Sequence, residues 1–483
     1  MEIEAFVTSL GSWSAGKGAL NCKLGQAIQR AIASGVALPG VRLPAERALA
    51  KALAVSRATV VSAYAALTDA GWLESRRGSG TYVRRPIGGR PALEPRVPPT
   101  SPLFGLMTHD PDLIDLALGT PYAMGLRREL FTLSHEQEAA VLDDRMYYPL
   151  GLAVLRQALA RRFSSLGLKT TEDQILVTSG AQQAISLIAA LYLQRGDTAL
   201  VEDPTYFGAI EALRATGARV SSVPVGVDGV APGILKDRIA ATAPRLIYLT
   251  PTYQNPTGAV IPAAARRAIS KLSKEFGVPV IDDASLSDIV LDGAPPAPIA
   301  AYEEHEGILT VGSISKLIWP GLRIGWIRAE APVIERLAKV KTAHDIGSPL
   351  MTQAIGAQLI GAIGEAQRLR REQLRPRRTL LVQLLKRQLP EWQFRNPEGG
   401  FFLWVRLPSG DARELAQVAL RRSVLILPGS TMSAAGLCTR YVRVPFLAEP
   451  DALRDGIERL AAAWREYQSA PAEASLRHVS AIA

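Results

Sequence analysis

The sequence predicts a two-part α/β protein, with a small basic helical head carrying a β wing and a large body built on a mostly parallel sheet. Three observations predict it. The chain has 483 residues, and a single packed core rarely grows past about 250–300 residues. Helical and β-rich stretches alternate for the last three quarters of the chain, the pattern of an α/β domain. Between the two parts runs a proline-rich stretch, and the charge is concentrated on one side of it.

The net charge is +10. Residues 1–90 hold twelve Lys and Arg against five Asp and Glu, a net +7 that leaves +3 for the rest. A basic end of this kind suits a polyanion. Hydrophobic residues make up 48% and charged residues 21%, as in a globular protein. No apolar run approaches the ~18–20 residues of a membrane span. The opening Met1-Glu2-Ile3-Glu4 carries acid where a secretory signal carries base. The two cysteines, Cys22 and Cys438, build neither a disulfide framework nor a cysteine zinc site, and the five histidines lack metal-ligand spacing. The expectation is a cytoplasmic protein without metal or membrane.

In the head, Leu20, Leu24, Ile28 and Ile32 recur every fourth residue and predict a helix over 18–34. A second short helix is expected over 45–53, after a turn containing Arg42. Ser56 is a good N-cap for a third helix, reaching about Ala70. Its first turn exposes Ser56, Arg57 and Thr59, while Val60, Tyr64 and Leu67 turn inward. Two strands are expected near 72–75 and 81–84, joined by Arg76-Arg77-Gly78-Ser79-Gly80. A helix entering the major groove presents its N-terminal side chains to base edges, and nearby arginines neutralise phosphates. A bare three-helix pattern suits a solvated basic surface at least as well. The text RLPAERALAKALAVSRATVVSAYAALTDAGWLESRRGSGTYV decides between them, because residues 18–84 closely resemble the winged helix-turn-helix of the GntR family. The resemblance implies that Arg47 and Arg57 contact DNA and that Gly78 lets the wing approach the backbone, with Arg42, Ser56, Thr59, Arg76 and Arg77 in the same surface. Val61 stands where many relatives carry a further basic residue.

From Pro86 to Asp112 seven prolines exclude a regular helix or central strand. An extended tether of this length reaches on the order of 80 Å. The expected division is a head of 1–85, a linker of 86–113 and a body of 114–483.

In the body, strands are expected at 174–180, 245–251 and 278–283. Thr178-Ser179-Gly180-Ala181-Gln182 follows a strand and opens a helix, where free N–H groups bind phosphate. Glu202-Asp203-Pro204-Thr205-Tyr206 places an aromatic on a loop; alone it reads as packing. Thr250 to Gly258, reading TPTYQNPTG, is more specific. Asp282 and Asp283 end a β-branched strand, and a buried carboxylate needs a cationic or protonated partner. Ser313-Ile314-Ser315-Lys316 precedes Pro320-Gly321-Leu322-Arg323. A lone lysine is usually a solvated charge, but this one lies between apolar segments.

Together and in this order, these motifs resemble the fold-type I aminotransferases over about 114–470, with large and small subdomains and pyridoxal 5′-phosphate (PLP) as cofactor. The resemblance implies that Lys316 forms the Schiff base and that Asp282 pairs with the pyridinium nitrogen. It implies that Asn255 hydrogen-bonds the phenolic oxygen and that Tyr206 stacks on the ring. Gly180, Ala181, Ser313 and Arg323 hold the phosphate. Tyr147 reaches the phosphate of a neighbouring subunit, and Arg443 clamps a substrate carboxylate. The family usually has a tyrosine two or three residues after the aspartate; here Ala284 and Ser285 stand there, and weak or absent turnover is expected.

A GntR-type head tethered to such a body resembles the MocR subfamily of transcriptional regulators. That resemblance implies double-stranded operator DNA as partner, and PLP or an amino compound as effector. It further implies a domain-swapped homodimer, each head resting on the other protomer. The alternative is a working aminotransferase with an accessory DNA-binding domain.

Overall fold

The structure, a computed structural model, describes residues 3–16, 18–76, 79–84, 101–107, 112–143, 145–303 and 305–469. The head contains α1 (Ile3–Ser9), α2 (Leu20–Ala33), α3 (Glu46–Ala52), α4 (Arg57–Asp69), β1 (Leu73–Arg76) and β2 (Gly80–Val83). The expected helices and wing form close to their expected bounds. Ser56 caps α4, its Oγ accepting from Thr59 N at 3.1 Å. Strands β1 and β2 pair antiparallel from Leu73↔Val83 to Arg76↔Gly80. Arg77 and Gly78 lie outside the described residues. Helix α1 was not anticipated; Phe6 and Trp13 bring it and the turn after it into one core with Leu24, Ile28, Leu49, Val60 and Leu67.

The tether corrects one expectation. Residues 85–100 and 108–111 are outside the described residues, but Pro102–Met107 form a helix, α5. Proline is tolerated at a first helical position, where its missing N–H has no intrahelical partner anyway. The carboxylate of Glu211 fastens this helix, accepting from Ser101 Oγ at 2.6 Å and Leu103 N at 3.1 Å. Leu106 packs in a small cluster with Ala117, Phe207, Leu427 and Met432.

The body begins with β3 (Ile114–Leu116), α6 (His135–Leu142) and α7 (Ala153–Ser165). Strand and helix then alternate through β4 (Ile175–Thr178), α8 (Ala181–Tyr192), β5 (Thr198–Asp203), α9 (Phe207–Ala215), β6 (Arg219–Pro224), α10 (Pro232–Thr242), β7 (Leu246–Leu249), α11 (Ala263–Phe276) and β8 (Val280–Asp283). There follow β9 (Ile308–Ser313), β10 (Gly325–Arg328), α12 (Ala331–Asp345), α13 (Leu350–Gly361), α14 (Ile363–Gln388), β11 (Gln393–Phe394), β12 (Phe402–Arg406), α15 (Ala412–Arg421), β13 (Val424–Pro428), β14 (Tyr441–Pro445) and α16 (Pro450–Ser469).

Seven strands make the large sheet in the order β4-β10-β9-β8-β7-β5-β6. All neighbours run parallel except β10, which is antiparallel to both β4 and β9. The carboxyl ends of the parallel strands therefore share one edge with the start of β10. Ligands of open α/β sheets bind outside that edge. The second sheet, β11-β12-β14-β13-β3, belongs to the small subdomain. Its β3 is the first strand after the tether and pairs parallel with β13.

In this single chain the head meets its own small subdomain. Trp13 Nε1 donates to Gln417 Oε1 at 3.1 Å, and Glu4 pairs with Arg413. Arg421 reaches Leu53 O at 3.5 Å. Arg413, Gln417 and Arg421 recur every fourth residue and so share one face of α15.

Candidate functional site

Along the carboxyl edge the loops after β4, β5, β7, β8 and β9 converge. Gly180 precedes α8 with φ +111°, a conformation few L side chains adopt, and a Cβ there would stand 2.9 Å from the Arg323 guanidinium. Arg323 sits just before β10 and donates to Ser179 O at 2.5 Å. The antiparallel turn of β10 is what brings a residue so late in the chain beside the start of α8. Gly325 allows this, since a Cβ on it would lie 2.5 Å from Gly180 C. Together Gly180, Ala181 and Arg323 form a cradle of backbone N–H groups and one guanidinium, suited to a phosphate.

Lys316 follows β9, and its Nζ donates to Gly119 O at 2.7 Å. Burial and the nearby Arg443 push its ammonium down to about 8, against the opposing pull of Asp283. A lysine near neutrality is a usable nucleophile. Arg443, on β14, donates to Ala117 O at 2.6 Å and to Asn255 Oδ1 at 3.0 Å. Its guanidinium lies 4.1 Å from the centroid of Phe402. Burial lowers it to about 9. Both cations are thus tied to carbonyls of the segment just after β3, a link without a signal in the sequence. Tyr206 is half-buried beside Phe207, its ring centroid 5.3 Å from that neighbour's.

The two aspartates at the end of β8 take different partners. Asp282 was expected to face the cofactor ring. Successive residues of a strand point to opposite faces; the Oδ2 of Asp282 accepts from Ile299 N at 2.8 Å. Burial raises its carboxyl to about 6, although Arg266 pulls the other way. Asp283 occupies the opposite face, where its Oδ2 accepts from Tyr248 at 2.6 Å and its charge acts on both Lys316 and Tyr206. Counted from Asp283, the residues two and three further on are Ser285 and Leu286, so the tyrosine is still missing. Ser285 Oγ is buried without a hydrogen-bond partner.

Ser313 Oγ is engaged, donating to Ile324 O at 2.8 Å and accepting from Ser315 N at 3.1 Å. Its neighbour Ser315 has a buried hydroxyl with no partner. Tyr147 is 70% exposed. Buried hydroxyls without partners at Thr205, Ser285 and Ser315, beside a lysine, an aspartate and a phosphate cradle, fit a polar group such as PLP.

On the head, Ser56 and Arg57 are exposed at the start of α4, and Arg47 is exposed on α3. Arg57 is held by Glu46 at 2.9 Å. Arg76 pairs with Glu74 at 2.5 Å and lies 4.4 Å from the Tyr82 ring centroid. Arg42 crosses Gly80, where a Cβ would come within 2.8 Å of its Nε. Thr59 is half-buried, and Val61 is 39% exposed on the same helix.

The family pattern described as aminotransferase class I and II matches residues 115–460, and that described as bacterial regulatory proteins, gntR family, matches residues 21–83. The HTH-type transcriptional regulator YdfD of Bacillus subtilis is 30% identical over 92% of this chain and 95% of its own. TauR of Rhodobacter capsulatus, another HTH-type transcriptional regulator, is 29% identical over 96% and 99%. Among solved structures, the α-aminoadipate aminotransferase LysN of Thermus thermophilus, complexed with N-(5′-phosphopyridoxyl)-L-leucine, is 27% identical with a TM-score of 0.70, covering 77% of this chain and 96% of LysN.

Proposed function

Because the chain belongs to the aminotransferase class I and II family and joins that body to a gntR-type DNA-binding head, we propose that it is a transcriptional regulator whose operator binding responds to an amino compound captured at its PLP site. The pairing of a DNA-binding head with a PLP body matches the MocR build. The observation that carries the responsive part is the joint seating of Lys316 and Arg443 on carbonyls of residues 117–119, one short strand after the tether. A ligand that engages either cation competes with that segment.

Lys316 holds the cofactor's aldehyde carbon. Asp283, in place of Asp282, faces the ring nitrogen. Asn255 orients the phenolic oxygen and Arg443 together, and Tyr206 lies against the ring. Gly180, Ala181 and Arg323 hold the phosphate, with Ser315 or Ser313 supplying a hydroxyl. PLP, when bound, supplies an aldehyde that captures amines and a ring that draws electrons from them. Arg443 fixes a carboxylate on the ligand by paired hydrogen bonds. On the head, Arg42, Arg47, Arg76 and Arg77 meet phosphates, Gly78 brings the wing close, and Ser56, Arg57 and Thr59 face the groove. The division at 1–85, 86–113 and 114–483 is retained, with α5 as an ordered end of the linker.

The protein is proposed to act in the cytoplasm as a homodimer. Among the described residues no helix is long and apolar enough to cross a membrane. The exposed Met146 and Tyr147, and a groove of about 420 Å³ lined by Val141, Leu152, Val154 and Leu350, give a second copy an apolar face. The tether's reach lets the α15 seat be filled by the partner's head in a swap. A disulfide engineered between Glu4→Cys and Arg413→Cys tests this, since a swapped dimer runs as a covalent dimer on a denaturing gel and an unswapped one as a monomer.

A second reading, a working aminotransferase, is favoured by Lys316, Asn255 and Arg443 all being in place; the missing tyrosine disfavours it. Absorbance of the PLP-loaded protein with amino acids, read beside gel shifts of an operator fragment, separates the two. A regulator changes its DNA affinity on ligand capture without accumulating keto acid.

A further inference from the structure

Three buried cations hold the segment 117–122 that follows β3, and one of them has no place in the assignments above. Arg443 takes Ala117 O and Lys316 takes Gly119 O. The third is Arg370, near the start of α14 and 2% exposed. Its Nη2 lies 3.2 Å from Tyr122 O, further along the same segment. The same nitrogen donates to Leu317 O at 2.8 Å and reaches Ile318 O at 3.1 Å, and Nε adds a bond to Leu317 O at 3.0 Å. Nη1 donates to Gln373 Oε1 at 2.7 Å, which fixes the guanidinium from within its own helix.

A buried charge is costly unless it is paired and hydrogen-bonded. Among the described residues Arg370 forms no ion pair, and the charge that acts on it is another cation, Arg377. Its partners are carbonyls from two separate stretches of chain. A planar fork of five donors can serve both at once, which a lysine or an apolar side chain cannot.

The two stretches meet at Lys316. Leu317 and Ile318 follow it in a single helical turn, closed by Ile318 N on Ile314 O at 2.8 Å. On the other side of the lysine, Ser315 N is held by Ser313 Oγ. Gly119, which accepts from Lys316 Nζ, has no room for a side chain, since a Cβ there would stand 2.4 Å from the Phe402 ring. Only Thr120 and Pro121 separate it from Tyr122, and the proline fixes φ between them. Arg370 therefore ties the backbone beside the lysine to the backbone beside that lysine's own acceptor.

We propose that Arg370 is a positioning residue of the cofactor site: its guanidinium joins the Lys316 turn to the 117–122 segment, sets where Lys316 Nζ stands, and keeps the segment anchored at Tyr122 when cofactor and ligand claim Lys316 and Arg443. Its donors are spent on carbonyls and Gln373, so it acts through Lys316 rather than on the reacting atoms. Among the described residues it makes no hydrogen bond to the phosphate cradle of Gly180, Ala181 and Arg323, so phosphate binding and lysine placement are separable.

The inference rests on Lys316 as the PLP lysine, so its test has one arm without PLP. In Arg370→Met the carbonyls of Leu317, Ile318 and Tyr122 lose their donor. In the full-length apoprotein, hydrogen exchange of peptides over 117–122 and 314–318 is expected to quicken about tenfold or more in this variant, the scale of one lost charged hydrogen bond, while a peptide over 178–183 keeps its rate. Unchanged exchange in the first two peptides, or faster exchange in all three, overturns the anchor whatever becomes of the PLP assignments. The second arm compares PLP with pyridoxine 5′-phosphate, whose alcohol replaces the aldehyde. Only PLP is captured covalently, Lys316 Nζ bonding its aldehyde carbon as one water leaves. Arg370→Met is expected to weaken PLP binding about tenfold or more and to leave pyridoxine 5′-phosphate within about twofold of the wild type, with Arg370→Lys between. Equal losses for both probes, or no loss for PLP, refute the positioning of Lys316. A wild type that binds neither probe refutes the PLP reading instead, and the exchange arm then decides the anchor. Should Arg370→Met fail to fold, Arg370→Lys carries both arms with the same pattern of smaller losses.

Discussion

The head and the body use charge in opposite ways. The head's arginines proposed to meet DNA stand in water: Arg57 and Arg76 pair with Glu46 and Glu74 across exposed contacts. Such pairs add at most about 1 kcal/mol to stability and are readily exchanged. That suits groups that must leave a carboxylate for a phosphate. The body's site cations are buried, and burial shifts them: Lys316 to about 8 and Arg443 to about 9. Each is fixed by hydrogen bonds from a different part of the chain. On the proposed function, the head would work as a screened, salt-sensitive surface and the body as a preset, pH-sensitive pocket.

The largest expected effect is in the body. Lys316→Ala is expected to abolish covalent capture of PLP altogether. Borohydride reduction and peptide mapping of the wild type place the pyridoxyl group on Lys316, and a reducible adduct in the variant at the same yield contradicts the assignment. Next come the paired aspartates. Asp283→Asn is expected to weaken PLP retention by about 10- to 100-fold, the scale of one hydrogen bond between charged groups. Asp282→Asn is expected to leave the bound-PLP spectrum alone and to change the stability profile with pH. Its carboxyl is raised from 3.8 to about 6 in the fold, so the folded state holds the extra proton. Stability in the wild type then falls as pH rises from about 4 through about 6, a component the asparagine removes. Thermal melts across that range check it, and the reverse pattern between the two variants restores Asp282 as the ring partner.

The smallest effects are in the head. Arg76→Ala is expected to weaken binding to all duplexes alike and to lower the slope of log K against log salt by about 0.9. Arg57→Ala adds a loss of discrimination of about 1–3 kcal/mol if it reads a guanine. Titrations at several salt concentrations check both, and binding that ignores salt breaks the contrast with the body.

The same contrast governs what the sequence made legible. The head's helices, the Ser56 cap and the wing are local patterns of spacing and turn chemistry, and they fall within a few residues of the expected bounds. Helix α1 lacked such a signal, because only Phe6 of its seven residues is buried. In the body, Lys316, Asn255, Gly180 and Arg323 were legible as motifs. The partners that each of the two adjacent aspartates takes were not, since they depend on how β8 registers against β7, where Leu249 pairs with Asp282 and Tyr248 with Ile281. The antiparallel β10, which delivers Arg323, and the carbonyls of Ala117 and Gly119 are likewise products of tertiary packing.

In the proposed regulator, ligand capture in the buried pocket changes what the exposed head does. This link is tested most directly by measuring the operator affinity of the PLP-loaded full chain at fixed salt, with and without a panel of amino compounds, in the wild type and in Arg443→Lys. At least one carboxylate-bearing amine is expected to shift the wild-type affinity severalfold, and Arg443→Lys, with PLP still bound, is expected to lose the shift. Operator affinity that is the same with every amine that changes the PLP spectrum would contradict it.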